Sequence, residues 1–154
     1  MLGLVAWGVR TGYGGTLSFE FGEPRLHVIE RKSGLRRSAF VEGEWRLWTY
    51  CSHWLARENG IQLAWNEDED WLTARAAARL NGQKFVKVAV DPTERRATFT
   101  FDLGGVLETW PYGDDPTHEQ WIMFSRDEVF AYRDDGCYSR HPRVAPPEQW
   151  LPLR

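Results

Sequence analysis

Cysteine is scarce in this chain, and the two cysteines present, Cys51 and Cys137, lie far apart in the sequence. Neither belongs to a Cys-x-x-Cys spacing, so the sequence indicates no disulfide framework, zinc ribbon or thioredoxin-type redox motif. One disulfide between the two is permitted but not implied. We therefore expect free thiols and a protein of the reducing cytoplasm.

Long hydrophobic runs are also absent. No stretch approaches the roughly 20 apolar residues of a membrane-spanning helix. The first residues, MLGLVAWGVR, have no basic segment before the apolar run and no small-residue cleavage site. The formal net charge is only −3, which gives no support to attraction of the whole molecule to nucleic acid or to anionic lipid. We expect a soluble protein that binds neither nucleic acid nor membranes.

What the chain has in excess is aromatic residues, with nine Trp, five Tyr and eight Phe among 154 residues. Large rings suit a pleated surface that is packed on one face, which favours a β-rich fold over a helical bundle. The length fits one domain that can bury a core without disulfides or metals. We therefore predict a single domain over residues 1–154.

Period-two patterns predict three hairpins. The segments TLSFEF and RLHVIE, joined by residues 22–25, would place Phe21 opposite Leu26. The segments ATFTFDL and VLETWPY, joined by Gly104 and Gly105, would place Phe99 opposite Trp110 and bring Glu108 onto the apolar face. A loop of residues 134–136 would place Tyr132 opposite Tyr138. Together these hairpins predict an antiparallel sheet.

One segment predicts a helix, over about residues 67–80, where EDEDWLTARAAARL places Leu72, Ala76 and Leu80 on one face. Asn66 can cap this helix and Gly82 can end it. Residues 142–154 are too rich in proline for regular structure, and we expect an irregular tail packed on the body. The predicted fold class is α+β and mostly β, a partly closed barrel or a sandwich built from hairpins with one helix packed on it.

The stretch WRLWTYCSHWL, residues 45–55, predicts one central strand. Its alternation puts Thr49, Cys51 and His53 on one face and Trp48 on the other. A nucleophile and base pair of Cys51 and His53 is conceivable, but residues i and i+2 of a strand lie roughly 6 to 7 Å apart. A buried thiol beside a hydrogen-bonded histidine is therefore the favoured interpretation, and it predicts that Cys51 is unreactive.

Charged residues are clustered, which is typical of solvated loops but also of interfaces. The basic stretch includes Arg31, Arg36 and Arg37, and a later acidic stretch includes Asp114 and Asp115. The segment DDPTHE also contains His118 and Glu119, but it lacks any recognised metal-ligand spacing. We expect no metal and no cofactor.

The surplus of aromatic residues suggests that a few rings are exposed for stacking on a sugar or a base. The segment Trp110-Pro111-Tyr112, and Trp7 together with Tyr13, are the best candidates for such a platform. A cavity mouth lined by Trp48, Tyr50, Trp54 and Trp110 is a related alternative.

Four segments, LSFEFGEPRLHV, GEWRLWTYCSHW, FDLGGVLETWPY and RDDGCYS, resemble in pattern a group of small uncharacterised bacterial proteins. Some members of that group are similar to immunity proteins of polymorphic toxin systems. The resemblance brings no assigned active-site residues, and it implies a non-enzymatic module that binds another protein.

The leading hypothesis is therefore a protein-binding module of immunity type, with Arg31, Arg36, Arg37, Asp114 and Asp115 in its interfaces. The alternative is a β-barrel or sandwich that binds a small sugar, nucleotide or lipid in its aromatic-lined cavity. An enzyme comes third, with Cys51, His53 and Glu108 as the residues to test. The oligomeric state stays open, a homodimer included.

Overall fold

The computed structural model describes residues 1–30, 32, 34 and 36–153. The helix α1 is Asp70–Leu80, and a short 3-10 turn covers Tyr13–Gly15. The strands are β1 (Ala6–Thr11), β2 (Leu17–Phe21), β3 (Arg25–Glu30), β4 (Arg37–Glu42), β5 (Trp45–Thr49), β6 (Ser52–Glu58), β7 (Ile61–Trp65), β8 (Phe85–Asp91), β9 (Arg96–Phe101), β10 (Gly105–Pro111), β11 (Glu119–Phe124), β12 (Glu128–Arg133), β13 (Cys137–Pro142) and β14 (Leu151–Pro152).

The strands form three antiparallel sheets within the described residues. The first sheet has the order β1-β2-β5-β11-β12-β13-β14, the second has the order β7-β6-β10-β9-β8, and β3 and β4 pair only with each other. The prediction of a mostly β, antiparallel fold with one helix is thus confirmed. These strand orders do not form a closed barrel over the part of the chain described here.

The core lies between the first and second sheets, which pack face to face. Phe19 of β2 stacks on Phe101 of β9 with ring centroids 5.6 Å apart, and Phe99 meets the edge of Trp121 at 5.4 Å. Both Phe19 and Phe99 are fully buried. Each such side chain contributes about 1.5–3 kcal/mol to folding. Helix α1 packs against β1 and β7 and adds Ala76, Ala77 and Leu80 to this core.

The chain passes from the first sheet to the second at Tyr50 and Cys51, between β5 and β6. The prediction of one continuous strand over residues 45–55 is therefore wrong. The break inverts the alternation, so Thr49, Ser52 and Trp54 are buried while His53 is only partly buried. Antiparallel pairing continues across the bend, because the N–H groups of Tyr50 and Cys51 donate to carbonyls of residues 120 and 119.

The predicted hairpin between residues 16–21 and 25–30 is also wrong. Both edges of β2 are occupied, since Phe21 pairs with Ala6 of β1 and with Trp45 of β5. No edge remains for β3, and Gly22, with a φ of 76°, directs the chain away from the sheet. The segments that follow, β3 and β4, consequently form a hairpin of their own.

The β9–β10 hairpin exists, but its predicted register is wrong. The loop is residues 102–104 and Leu107 faces Phe99, so Leu107 enters the core and Glu108 lies on the outer face. Gly105 is not a turn residue. A glycine is needed there for close packing, because a Cβ would lie 2.8 Å from the side chain of Leu80. A register change by an odd number of residues moves every side chain to the opposite face.

The third hairpin is confirmed, with Tyr132 opposite Tyr138 across residues 134–136. The helix is confirmed but begins three residues later than predicted, at Asp70. Asn66 does not cap it, since its side-chain oxygen accepts the N–H of Trp54 at 3.1 Å. The helix ends as predicted before Gly82, whose φ is 91°.

The C-terminal segment contributes β14, which pairs with β13. Just before it, the ring of Trp150 packs beneath the guanidinium of Arg133 at 4.5 Å and joins a small apolar cluster with Trp48 and Ile122. Of the described residues, none forms a helix with the length and apolar character needed to cross a membrane.

Candidate functional site

The hairpin of β3 and β4, hereafter the arm, pairs with neither of the two large sheets. Every residue of its strands except Glu42 is exposed. Leu26, Val28, Ala39 and Val41 share one face, because Leu26 pairs with Val41 and Val28 with Ala39. A lone two-stranded hairpin has marginal stability in water. The arm therefore presents an apolar surface that nothing within the described residues covers.

The arm also carries a surplus of positive charge. Residues 25–42 hold five Arg or Lys against two Glu, a surplus of three positive charges in a chain whose net charge is −3. Arg37 pairs with Glu30 at 2.8 Å on the surface, and Arg36 is exposed. Arg31, the third cation of the predicted interface, lies outside the described residues. Two of the predicted basic residues thus lie at the outer end of the arm.

A charged network holds the base of the arm. The buried carboxylate of Glu42 accepts a hydrogen bond from Arg143 at 2.7 Å, and Arg46 and His27 lie within 3.6 Å of it. Burial raises the pKa of Glu42, but the hydrogen bond and charge of Arg143, with Arg46 and His27, more than offset this and leave the pKa below its ordinary value. The adjoining Glu20 is likewise buried, and it binds Arg46 at 2.7 Å and the N–H of residue 43 at 3.0 Å.

Beneath the arm lies an open cleft of about 980 Å³. One wall is the arm's inner face, with His27 stacked on Phe40 at 5.4 Å. The other wall is the loop of residues 125–128 together with Arg143. Since the lining mixes cations, carboxylates and apolar groups, this cleft favours no single ligand chemistry.

A second cleft, of about 500 Å³, lies where the chain crosses between the two sheets. We call it the tyrosine cleft. It is lined by Tyr13, Gly14, Thr16, Tyr50, Cys51, Ser52, Asn66, Glu67 and Tyr112. Its volume lies within the range of about 300–1,000 Å³ that is typical of small-molecule sites.

Local hydrogen bonds hold the floor of the tyrosine cleft. The indole N–H of the buried Trp54 donates to the carbonyl of Gly15 at 2.5 Å, and Leu17 N–H donates to Thr49 Oγ1 at 2.8 Å. Gly15 has a φ of 73°, and a Cβ there would lie 2.7 Å from the carbonyl oxygen of Asn66. Only glycine fits this close approach without strain, so the turn that carries Tyr13 is held tightly against Asn66.

Next to this cleft, His53 is part of an aromatic row across the outer face of the second sheet. Its ring stacks between Trp65 and Trp110, at 6.0 and 5.6 Å, and meets Tyr112 edge-on at 4.9 Å. Its Nδ1 lies 3.2 Å from Asn66 Oδ1. The hydrogen-bond partners that His53 has in the described structure do not include Cys51.

The structure corrects the expected burial of Cys51, which is partly exposed and lines the tyrosine cleft. Burial raises the pKa of its thiol, and the negative charges of Asp134 and Glu119 raise it further. Glu108, the third residue considered for catalysis, forms an ion pair with Arg57. His53 and Glu108 therefore have separate partners, and neither is paired with Cys51 in the described structure.

Only two of the four residues predicted to line one cavity mouth, Trp48 and Tyr50, lie together. Tyr50 lines the tyrosine cleft, and Trp48 packs on Tyr50 at 4.8 Å. Trp54 is fully buried in the core, and Trp110 lies beneath the guanidinium of Arg96. Trp54 is misplaced in the prediction because the break at residues 50–51 inverts the faces of the strand.

Sequence reasoning marks two of the remaining cleft residues but does not bring them together. Tyr13 and Tyr112 are recognisable as candidates for exposed rings, yet they are 99 positions apart in the chain. Glu67 is assigned in the prediction to the first turn of a helix, which in the structure begins only at Asp70. Nothing in the local pattern signals that these residues share a cleft with Tyr50.

The predicted acidic pair lies in the loop between β10 and β11. Asp114 and Asp115 are exposed, and Asp115 accepts hydrogen bonds from the hydroxyl and N–H of Thr117. Both line a small pocket of about 140 Å³ together with Asp134, whose side chain is buried. Within the residues described, no three His, Cys, Asp or Glu side chains converge as metal ligands would.

Comparison with known protein families, with curated proteins and with solved structures finds no match for this chain. The geometry of its own surfaces is therefore what supports a function.

Proposed function

We propose that this chain is a non-enzymatic protein-binding module that docks through its arm, and that it inhibits a partner toxin in the manner of an immunity protein. The exposure of the arm's apolar face supports its assignment as the docking surface, since Leu26 is 69% exposed and Val28 is 55% exposed. The immunity role is supported by the resemblance in sequence pattern.

The arm has the physical features of a docking element. Both strands have one edge that no described strand occupies, and such edges readily pair with another chain. Apolar side chains at the centre with charged residues at the rim match the usual anatomy of an interface. When the marginal hairpin becomes ordered against a partner, its exposed apolar groups also become buried, which they are not in the free protein.

The positive charge of the arm favours a partner with a negatively charged surface. With a surplus of three positive charges in residues 25–42, the arm favours a partner with an apolar groove bordered by Asp and Glu. Opposite charges at the rim mainly raise the association rate, whereas burial of Leu26 and Val28 would provide most of the affinity.

The experiment uses the protein encoded next to this chain's gene as the candidate partner. The two proteins are co-expressed and purified, and the dissociation constant is measured by titration calorimetry. Replacing both Leu26 and Val28 by Asp is expected to weaken binding by about 30-fold or more. Replacing Ile61, an exposed apolar residue of β7, by Asp is the matched control. Binding that is equally strong with the altered arm would refute the docking surface.

Charge reversals test the rim separately. Replacing Arg36 and Arg37 by Glu is expected to slow association and to reduce the salt dependence of its rate. Replacing Asp114 and Asp115 by Lys tests whether the acidic loop also contacts the partner. These two sites lie at opposite ends of β5, because the arm leads into Trp45 while the acidic loop precedes β11, whose first residues pair near Thr49.

A further inference from the structure

The tyrosine cleft has a chemical character that the proposed protein-binding role does not use. Three phenol rings line it, from Tyr13, Tyr50 and Tyr112, and Glu67 adds a carboxylate. None of the described residues that line it is a Lys or an Arg. Aromatic faces carry negative electrostatic potential, so rings and carboxylate act in the same direction.

The surroundings of the cleft add to this negative potential. Burial raises the pKa of the Cys51 thiol in the cleft wall, and the negative charges of Asp134 and Glu119 raise it further. An anion such as a nucleotide phosphate would therefore be repelled. A neutral sugar could stack on the rings, but it would gain nothing from the carboxylate.

We propose that the tyrosine cleft binds a small organic cation that carries a methylated ammonium group. Aromatic rings attract such cations through their faces, and a methylated ammonium is more easily desolvated than an unmethylated one. Glu67, whose carboxylate also lies 3.6 Å from His53 Nδ1, provides the counter-charge. The three tyrosines thus provide aromatic surface for the cation, and the carboxylate provides the preference for positive charge.

The cleft is already organised to receive a ligand. Gly15 is packed on Asn66, Trp54 is bonded to Gly15, and Thr49 is bonded to Leu17, so the walls are held from both sheets. Preformed walls reduce the entropy lost on binding. The rim is more open, because Tyr13 is fully exposed.

The cleft and the arm are separate sites. The arm joins the first sheet after Phe21 and before Trp45, whereas the cleft lies before Leu17 and after Thr49, at the other ends of the same two strands. A strand of this length spans about 17 Å. Loss of one site should therefore leave the other intact.

Titration calorimetry on the intact protein tests the proposal with choline as the probe. The neutral control is tert-butylethanol, which has the same shape but carries a carbon atom in place of the charged nitrogen. Choline should bind at least about tenfold more tightly than this isostere. Equal binding of the two compounds would mean that the cleft recognises only apolar shape. Three outcomes would each overturn the proposal: equal binding of choline and its neutral isostere, tighter binding of glucose, or no saturable binding of choline.

Variants then locate the binding site. Replacing Glu67 by Gln should weaken choline binding by about threefold to tenfold, whereas replacing Glu94, an exposed acid that does not line the cleft, should not. Replacing Tyr112 by Leu should weaken binding by about tenfold. Trp71, an exposed ring on the helix, is the aromatic control. Circular dichroism of each variant verifies folding, and unchanged affinity in both cleft variants would place choline elsewhere and refute the site.

Discussion

Replacing Asp134 by Asn should make this protein more stable at neutral pH. The Asp134 side chain is 1% exposed, and neither carboxylate oxygen has a hydrogen-bond partner among the described residues. Burial raises the pKa of Asp134 to about 6, and the nearby Gln120 amide and the positive charges of His118 and Arg95 offset only part of that effect. The ordinary pKa is 3.8, so above pH 6 the folded protein carries a carboxylate in an unfavourable place.

The direction of the pH dependence follows from the number of protons that the folded and unfolded states bind. Between about pH 4 and pH 6 the folded state retains a proton that the unfolded state has lost, so the free energy of unfolding falls as the pH rises through this window. A rise of about two pKa units corresponds to about 3 kcal/mol at most. Asn has the same shape and cannot ionise. The variant should therefore gain up to about 3 kcal/mol near pH 8 and almost nothing near pH 4.

Urea unfolding followed by tryptophan fluorescence, at both pH values, measures this difference. Asp115→Asn is the matched control, because hydrogen bonds from Thr117 lower the pKa of that exposed carboxylate. The control should show no gain on raising the pH. A gain for Asp134→Asn of the same size at both pH values would mean that packing is responsible, and a loss of stability near pH 8 would refute the reasoning outright.

Gly15→Ala should destabilise the fold by about 2 kcal/mol and weaken binding in the tyrosine cleft. Gly14 has a similar positive φ, but no described residue would lie within 4 Å of a Cβ there, so Gly14→Ala should cost less in both assays. Glu42→Gln should cost about 1–2 kcal/mol at neutral pH. That cost, measured by urea unfolding, should begin to fall below pH 4.5, where the unfolded chain takes up the proton, and disappear below the lowered pKa of Glu42 in the folded protein. Glu30→Gln, in an exposed pair, should change little. The Cys51 thiol, measured in a variant that lacks the other cysteine, should react with a thiol reagent more slowly than free cysteine near pH 7, because its pKa is raised. Equal rates would show that the surroundings of Cys51 do not hold back its ionisation.

Local features of the fold could be predicted where short-range physics decides them. The helix follows from the alanine-rich segment, in which Ala76 and Leu80 lie on one buried face. The hairpin at residues 134–136 follows from turn residues between two alternating runs. In both cases the residues that interact are close in sequence, so period and turn chemistry are sufficient.

Pairings between distant segments could not be predicted in this way. The partners of β2 are β1 and β5, and the competition among these strands for its two edges is invisible in the period of β2 itself. The role of Gly105 likewise depends on the side chains of Gln83 and Leu80, which approach it only in the folded protein. A glycine next to a turn therefore suggested the wrong register.

The sequence by itself determined that this is a mostly β protein with one amphipathic helix, an apolar aromatic core and charged surface clusters, because composition and periodicity set which faces can be buried. Only the tertiary structure decided that β3 and β4 form a separate arm, that the chain bends between sheets at Tyr50 and Cys51, and that Tyr13, Glu67 and Tyr112 line one cleft there. Those outcomes depend on which sheet edges are free and on how two sheets face one another. Neither quantity is encoded in any one local stretch of the chain.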